Sequence, residues 1–429
     1  MSELREQGQP RRPGGILPVV DRLSLYPLGA SVAVAELQDD PHSLLAALRQ
    51  REPVSWIPAL DGWLVTSYRL ALAAMRDAPT FTVQDPRFST AQVIGPSMLS
   101  LDGVAHARHR APFVAPFRPR PVRARFTELV AREAERLASA LRAHGRGDLR
   151  RTFAAPLAAT IVTCALGLDR GAVPEVLVCY GEIVGAVTEI TAGAGADAAG
   201  GPAAGLGDGL PARSRDTTAA GRGAFIRLAE RLRGVLTAPG GDSLLAGAAA
   251  GSDLNAEEII ANAAVLLFGG IETTEGMIAN ALVHLLERPA VLARVRAQPE
   301  LLDAAIEESL RLEPAAAVID RYAVRDTLLG PARIAAGDLV RISIAGANRD
   351  PDVFPDPNRL DLERRSARSH LTFAQGPHVC VGVHLARLEA RAGIAVLLKR
   401  LTGLRLDPER RPRITGLVFR KPTALHVRY

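Results

Sequence analysis

The sequence predicts a mainly α-helical protein with small β-sheets, organised around one long central helix. Of the 429 residues, 48% are hydrophobic and 23% are charged, so the chain can bury a large core. Most apolar residues recur at helical spacing, and only a few short segments alternate as strands do. The most apolar segment begins at Asn255, which can form a capping box with Glu258, and continues to about Leu286.

The N-terminal part is predicted to mix short helices with two strands. Residues 1–15 are polar and lack a hydrophobic segment, which predicts a disordered tail. Residues 41–51 and 68–77 have helical periodicity, whereas residues 54–57 and 62–66 favour two strands joined by a turn. These strands predict the first of the small sheets.

The middle of the chain is helical, with one interruption. Helical patterns cover residues 126–143, 157–168 and 173–191. Residues 192–222 are rich in glycine and alanine, cannot bury much surface, and predict a mobile loop. A linker between two domains is one interpretation of this loop. Its neighbours look like consecutive helices of one fold, so we expect a single domain over residues 16–429.

The charge of the chain argues against a nucleic-acid-binding protein. The net charge is +6 and the pI is near 9.7, but aromatic residues make up only 4% of the chain. Nucleic-acid binding needs a basic face with stacking aromatic side chains. The basic excess instead favours an acidic protein partner, because complementary charges steer association.

Cysteine usage and hydropathy predict a soluble cytoplasmic protein. Cys164, Cys179 and Cys380 are far apart and odd in number, which indicates neither a disulfide framework nor a zinc site. The N-terminus has no signal-peptide core, and we expect no apolar run to approach the ~20 residues of a membrane span.

The central helix contains locally unfavourable residues that predict a functional site. Gly269 and Gly270 each cost about 1 kcal/mol relative to alanine in a helix interior. Glu272 and Thr273 add a further cost in a buried stretch unless they are paired. The glycines would leave a groove for a diatomic ligand, with an acid and an alcohol at its edge. A helix crossing explains the glycines alone, but not the acid and the alcohol.

Residues 373–382, FAQGPHVCVG, predict a metal-binding loop ahead of a helix. Two glycines and a proline give a tight backbone path, and Cys380 falls where the loop becomes helix. Unpaired N–H groups and the helix dipole at that point favour a thiolate. A thiolate suits a soft metal centre, above all a haem iron, and the alternative is a buried structural cysteine.

Two further charged pairs have helical spacing. His106 and Arg110 share one face, where they could form a carboxylate clamp or simply a solvated basic surface. Glu308 and Arg311 also share a face, and as an isolated pair they would form a surface ion pair that contributes little to stability.

These motifs resemble those of the cytochromes P450, the haem-thiolate monooxygenases, especially the soluble bacterial type. The stretch 373–382 resembles the family's haem-binding loop, although Ala374 stands where the family usually has glycine. The stretch 269–274 resembles the acid-alcohol motif, with Glu272 where many members have aspartate. The Glu308 and Arg311 pair resembles the family's Glu-x-x-Arg motif, whose third member would be Arg359.

The resemblance implies a cytochrome P450 fold around the central helix and a haem b, and it implies that residues 192–222 are a movable lid that admits substrate. It implies that Cys380 binds the iron and that Glu272 and Thr273 deliver protons to dioxygen. The other haem-binding residues it implies are His106, Arg110, Gly269, Arg321 and His378. The pocket residues we expect are Val265, Phe268, Ala317, Val318 and Leu417. The basic residues Arg118, Arg120, Arg123 and Arg125 would face a ferredoxin, itself reduced by its reductase.

The expected reaction is insertion of one oxygen atom of O2 into a C–H bond of an apolar small molecule, such as a secondary metabolite. Oxidative coupling or cyclisation by the same oxidant is an alternative. A peroxygenase would need no ferredoxin, and the intact Glu272 and Thr273 pair argues against it. A haem sensor or carrier is the alternative from another class, and it would consume no reductant.

Overall fold

The prediction of a mainly helical fold with small sheets is confirmed. A computed structural model describes residues 19–193, 212–237 and 243–429. Its helices, numbered α1 to α17 in chain order, are Val19–Leu25, Pro27–Ala30, Val34–Gln38, His42–Arg51, Tyr68–Arg76, Ser89–Ile94, Gly103–Val114, Pro119–Leu141, Ala155–Leu166, Val173–Gly193, Ala212–Thr237, Leu244–Gly251, Ala256–Leu286, Pro289–Ala297, Leu301–Leu312, Ile344–Ala347 and Val383–Arg400.

The strands form one five-stranded sheet and three smaller sheets in the described ranges. The strands, numbered β1 to β12, are Val54–Ile57, Gly62–Val65, Phe81–Thr82, Arg146–Asp148, Val318–Ala323, Thr327–Leu329, Ala332–Ile334, Leu339–Ser343, Arg405–Leu406, Ile414–Thr415, Lys421–Pro422 and His426–Arg428. The larger sheet has the order β1-β2-β8-β5-β3, with only the β2 and β8 pair parallel. The predicted first hairpin is present as β1 and β2.

Helix α13 (Ala256–Leu286) is the centre of the fold. Its capping box is formed as predicted: the Asn255 side-chain oxygen accepts from the Glu258 N–H at 3.0 Å, and Glu258 accepts from the Asn255 N–H at 2.9 Å. Helices α9, α11, α15 and α17 pack against α13, and their apolar faces form the main core with it. Such an all-round apolar helix is stable only when neighbours cover every face.

The predicted loop over residues 192–222 is helical at both of its described edges. Residues 192–193 end α10 (Val173–Gly193), and residues 212–222 begin α11 (Ala212–Thr237), so the prediction is wrong there. The physical reason is close helix packing: a Cβ at Gly221 would lie 2.5 Å from the Ala186 side chain. Residues 194–211 of the predicted loop and the predicted tail over 1–15 lie outside the described residues.

One helix differs from the hydropathy expectation. Among the described residues, Arg170–Thr191 is long and apolar enough to cross a membrane by length and composition. We expected no such segment. This helix packs along α11 and also contacts α9 and α13, and Ile183 and Val187 are buried in the main core. Its apolar face therefore has protein neighbours.

A buried ion-pair network supports the segment before the cysteine loop. Arg311 donates to Glu308 at 2.7 and 2.9 Å, and both side chains are fully buried. The third member is Arg364, whose Nε lies 3.1 Å from Glu308. The prediction of Arg359 is wrong, because that side chain is exposed and only its carbonyl accepts from Arg311.

Candidate functional site

The loop over residues 373–382 has the tight path that its sequence predicts. The Cys380 N–H donates to the Phe373 carbonyl at 2.8 Å, which closes the loop. Gly376 has φ +74°, and a Cβ there would lie 2.6 Å from the Met75 carbonyl oxygen. Ala374 also has a left-handed φ of 55°, a conformation that costs an alanine roughly 1–2 kcal/mol. The loop thus keeps its shape despite a residue that disfavours it.

Cys380 faces open space within the protein. Its surface is exposed there, yet protein surrounds it closely enough that burial raises the pKa of its thiol. The amide of Gly382 and the guanidinium groups of Arg110 and Arg387 lower that pKa without reversing the effect of burial. Burial thus opposes the thiolate that the loop sequence favours, whereas the amide and the two guanidinium groups act in its favour.

The predicted carboxylate clamp is gathered in one place. The rings of His106 on α7 and His378 in the cysteine loop are 4.3 Å apart between centroids. Arg110, one turn after His106, donates to the Val379 carbonyl at 2.6 Å. Asp102 lies among these groups, and its carboxylate is 2.7 Å from His378 Nε2. That contact and a hydrogen bond from Thr82 lower the pKa of Asp102 to about 2, against the effect of burial.

Two basic side chains of this cluster, His106 and Arg321, have no ion-pair partner among the described residues. The Nε2 atom of His106 is buried and has no hydrogen-bond partner in the described structure. Burial lowers the pKa of His106 to about 4. Arg321 is 4% exposed, donates to the Asp320 carbonyl, and makes no ion pair within the described residues; burial lowers its pKa to about 10.

A cavity of about 760 Å³ borders the cluster, with Asp102, His106 and Arg110 in its wall. Its size is that of a small-molecule or cofactor site. The unpartnered His106 imidazole and the Arg110 guanidinium beside such a space suit carboxylates, and haem carries two of them. The residues present here therefore fit a haem.

The two glycines of the central helix have different surroundings: one borders open space and the other allows close helix packing. A Cβ at Gly269 would meet no other atom within 4 Å, so this residue borders open space. A Cβ at Gly270 would lie 3.3 Å from Val162, so this residue allows the close approach of α9 (Ala155–Leu166). The helix-crossing explanation thus holds for Gly270. The hydroxyl of Thr273 donates to the Gly269 carbonyl at 2.6 Å.

Glu272 belongs to a buried charge network that the sequence analysis missed. Its carboxylate is 2.8 Å from the Lys421 ammonium and accepts from the Tyr180 hydroxyl. Lys421 also contacts Glu275 at 3.1 Å, and Arg150 donates to the other oxygen of Glu275. Burial and the two carboxylates raise the pKa of Tyr180. The sequence does hold one signal for Lys421: only two of the 52 lysine and arginine residues are lysines, so a lysine at this position is unusual for the chain.

The five predicted pocket residues fall into separate packing clusters. Val265 and Phe268 belong to the main core around α13. Ala317 and Leu417 pack instead with N-terminal residues such as Leu45, in a different cluster from the first pair. Val318 is 7% exposed at the start of β5.

The neighbours of Ala317 and Leu417 provide the contact with α13. Phe419 lies 5.7 Å from Phe268 between ring centroids and forms a β-bridge with Ala316. Ala317 donates its N–H to the Val418 carbonyl at 2.8 Å, which fixes the alternation of side chains in this pair of segments. Ala317 therefore points away from the pair formed by Ala316 and Phe419, and the pocket role of Leu417 stays a prediction.

A buried amide holds the segment before α7 against the central helix. The Asn262 side-chain oxygen accepts from the Met98 N–H at 2.7 Å, and its nitrogen contacts His109 Nδ1 at 3.1 Å. Asn262 precedes Gly269 by seven residues, or two helical turns, and therefore lies on the same face. Met98 is thereby fixed about 10 Å along the helix from the open space at Gly269.

Comparisons with known proteins agree with this fold and site. The family model described as Cytochrome P450 matches residues 240–426. The chain is 34% identical over 392 residues to the cytochrome P450 monooxygenase PikC of Streptomyces venezuelae, covering 86% of this chain and 85% of that protein. It is 32% identical over 408 residues to the mycinamicin IV hydroxylase/epoxidase of Micromonospora griseorubida, covering 91% and 97%.

Solved structures show the same architecture. P450BioI in complex with an acyl carrier protein ligated to hexadec-9Z-enoic acid superposes with a TM-score of 0.80 at 25% identity, covering 93% of this chain and 100% of that one. Cytochrome P450 260B1 of Sorangium cellulosum So Ce56 superposes with a TM-score of 0.78 at 28% identity, covering 91% and 98%.

The chain belongs to the cytochrome P450 family and is an enzyme of its monooxygenase class. Haem and O2 are the cofactor and cosubstrate of this family.

Proposed function

We propose that this protein inserts one oxygen atom of O2 into a C–H bond of an apolar small molecule of secondary metabolism, by hydroxylation or epoxidation. The observation that carries the proposal is the pairing of an acid and an alcohol, Glu272 and Thr273, next to the open space at Gly269. A haem carrier has no use for such a pair. Relatives named as a monooxygenase and as a hydroxylase/epoxidase support the same reaction class.

In this proposal the chain holds haem b through Cys380 and four basic residues. Cys380 would bind the iron as a thiolate, whose electron donation favours cleavage of the O–O bond. His106, Arg110, Arg321 and His378 would hold the haem carboxylates. When bound, the haem supplies the redox centre at which dioxygen is activated.

The protons that dioxygen needs would come through the acid and the alcohol. Thr273 holds a proton at its hydroxyl beside the open space, and Glu272 supplies protons to it from the buried network. Val265, Phe268, Val318 and Phe419 would exclude water and orient an apolar substrate.

The first test is the carbon monoxide difference spectrum of the reduced, purified protein. A strongly red-shifted Soret band is expected, and Cys380→Ser should abolish it because serine cannot supply the thiolate. A haem spectrum without that shift in the unmodified protein would contradict Cys380 as the ligand. Substrates would then be sought by spin-state shift, and product analysis would separate oxygen insertion from oxidative coupling.

Thr273→Ala tests the proton-delivery role. We expect haem and substrate binding to persist while reductant is diverted into peroxide, because the hydroxyl that guides protons is lost. The rate of product formation should fall about 10²-fold, the lower range for general acid catalysis. Peroxide per reductant consumed is the measurement, and full coupling in this variant would remove Thr273 from the mechanism. Thr274→Ala, on the neighbouring buried hydroxyl, is the matched control.

We also infer that an acidic ferredoxin docks on the basic face formed by the start of α8 (Pro119–Leu141). Arg118, Arg120 and Arg123 are exposed there. Arg123 borders a groove of about 200 Å³ whose wall also holds Arg387 and Arg391, each ion-paired with an acid there, Glu307 and Asp303. Such a surface attracts an acidic partner most strongly at low salt.

Charge reversal tests this docking face. Arg120→Glu and Arg123→Glu together should slow ferredoxin-driven reduction about tenfold or more at low salt, with the difference shrinking at high salt. Arg142→Glu, at the far end of the same helix and about 30 Å away, is the control. Unchanged reduction at low salt in the double variant would exclude this face.

We further propose that the enzyme is a single domain over residues 16–429 and acts as a soluble cytoplasmic protein. Helices from both halves of the chain share one main core around α13, which supports this organisation. Fractionation of the expressed protein is the test, with recovery in the soluble fraction expected.

A further inference from the structure

The C-terminal segment brings a nearly buried lysine to the acid of the central helix. The ammonium of Lys421 lies 2.8 Å from Glu272 and 3.1 Å from Glu275. The side chains of both acids are 2% exposed, and that of the lysine is 12% exposed. One cation therefore serves two buried carboxylates, and Glu272 has no second cation within ion-pair distance in the described residues.

The close approach of this segment is built into the helix. A Cβ at Gly276 would lie 2.7 Å from the Ala315 side chain and 3.5 Å from the Cβ of Lys421. Glycine at this position lets the strand that carries Lys421 lie directly against α13. Lys421 is one of two lysines in a chain that otherwise uses arginine for its positive charge. A lysine is a compact point charge, which suits a site with room for one small cation between two acids.

The remaining groups around the two acids come from two other elements. The Tyr180 hydroxyl on α10 donates to Glu272, and its pKa is raised by burial and by the acids. Arg150 donates to Glu275 and also to the Thr423 carbonyl at 2.6 Å, and its side chain is 25% exposed. Polar contacts thus run from the surface at Arg150, through Glu275 and Lys421, to Glu272.

The same segment also contacts the proposed substrate pocket. Phe419 is two residues before Lys421 and packs edge-to-face against Phe268 of α13. Between them, Arg420 is 2% exposed and its guanidinium donates to Glu313 at 2.7 Å, so the backbone here is firmly held. A side chain of the proposed pocket and the side chain that contacts the acid therefore lie two residues apart on one firmly held segment.

We propose that Lys421 is a positioning residue that keeps Glu272 ionised and oriented for proton transfer, and that residues 419–421 link the substrate pocket to proton supply. This inference rests on the proposed function, because it assigns Lys421 a role through Glu272. The physical reason is that a carboxylate in a dry site without a cation takes up a proton and becomes neutral. Glu275 keeps Arg150 when Lys421 is removed, but Glu272 keeps only the neutral Tyr180.

The direct test is infrared spectroscopy of the holoenzyme at neutral pH. Lys421→Met should produce the C=O stretching band of a neutral carboxyl group that is absent from the unmodified protein. The band should be missing from the double variant Lys421→Met/Glu272→Gln, which assigns it to Glu272. Lys421→Arg should restore the unmodified spectrum. Lys399→Met, at the exposed end of α17, removes the other lysine and should leave the spectrum unchanged.

The functional test is the pH profile of ferredoxin-driven oxygen consumption with its solvent deuterium isotope effect. Lys421→Met should lower the rate about tenfold or more, raise the isotope effect, and shift the pH profile. Lys421→Arg should recover the unmodified pH profile. If Lys421→Met folds poorly, the charge-balanced Lys421→Met/Glu275→Gln variant removes one cation and one anion together and carries the same expectations.

The results distinguish a positioning role of Lys421 from a purely structural role in which it only holds the C-terminal segment against α13. An unmodified infrared spectrum and pH profile in Lys421→Met, with only a lower melting temperature, would overturn the proposal. The infrared result concerns the protonation of Glu272 and does not depend on turnover. Failure of the proposed function would instead appear as a carbon monoxide spectrum without the thiolate shift in the unmodified protein.

Discussion

At the scale of single residues, two arginines five positions apart have opposite environments around Glu308. Arg364 is 6% exposed at its side chain and contacts the fully buried Glu308. Arg359 is exposed, and only its carbonyl takes part by accepting from Arg311. A backbone carbonyl survives any substitution of its side chain, so the two positions differ sharply in what a mutation removes.

We therefore expect Arg364→Ala to lower the free energy of unfolding by about 3 kcal/mol, because it leaves part of a buried charge without its partner. Arg359→Ala should change it by at most about 0.5 kcal/mol, as for exposed sites away from special features. Urea denaturation of both variants is the measurement. Equal losses in the two variants would contradict the assignment of Arg364 as the third member.

Ala374 offers a second prediction at this scale. Its φ of 55° lies in the left-handed region, which glycine adopts without steric cost but alanine does not. Ala374→Gly should raise the free energy of unfolding by about 1 kcal/mol. Thermal unfolding is the measurement, with Ala336→Gly, at an exposed alanine with ordinary φ, as the control that should not gain stability. A loss of stability in Ala374→Gly would mean that the loop is not strained at this residue.

At the scale of elements, the two glycines of α13 separate packing from ligand space. Gly269→Ala places a methyl group in open space, so it should stabilise the helix by up to about 1 kcal/mol yet slow carbon monoxide binding to the reduced holoenzyme. Gly270→Ala points at Val162 and should leave carbon monoxide binding unchanged. Flash photolysis measures the rebinding rate. Unchanged rebinding in Gly269→Ala would show that this face does not border the ligand.

Elements with a strong local signal could be predicted from the sequence. The capping box at Asn255 and the first hairpin both depend on residues adjacent in the chain, and both are confirmed. The helical edges of the predicted loop could not be predicted, because Gly221 signals flexibility in isolation and close packing only beside Ala186.

The residues of the candidate site also differ in whether the sequence alone could predict them. The cysteine loop and the acid and alcohol were found by spacing along one segment. Lys421 and Tyr180 come from segments far from Glu272 in sequence, so only the fold brings them together. Ala317 was placed in the pocket without knowledge of strand parity, and one residue along a strand reverses the side-chain direction.

At the scale of the whole molecule, acid stability should depend on a histidine buried in the main core. His284 on α13 is 6% exposed and contacts the Ser309 hydroxyl at 2.9 Å. Burial lowers the pKa of His284 from 6.5 to about 3. The unfolded chain therefore binds a proton below about pH 6.5 that the folded chain does not bind until about pH 3.

The free energy of unfolding should thus fall as the pH drops from about 6.5 towards 3, by about 2 kcal/mol at pH 5 from this residue. In His284→Gln the loss between neutral pH and about pH 5 should be smaller by that amount. His144→Gln, at an exposed histidine, should lose stability as the unmodified protein does. Urea denaturation at the two pH values measures this, and parallel losses in all three proteins would exclude His284.

The scarcity of lysine has a practical consequence for attaching this protein to other materials. Amine-selective reagents would meet Lys399 on the exposed end of α17, whereas Lys421 is shielded by two acids and a tyrosine. Within the described part of the chain, a label, an electrode linker or a resin would therefore be joined through one defined side chain.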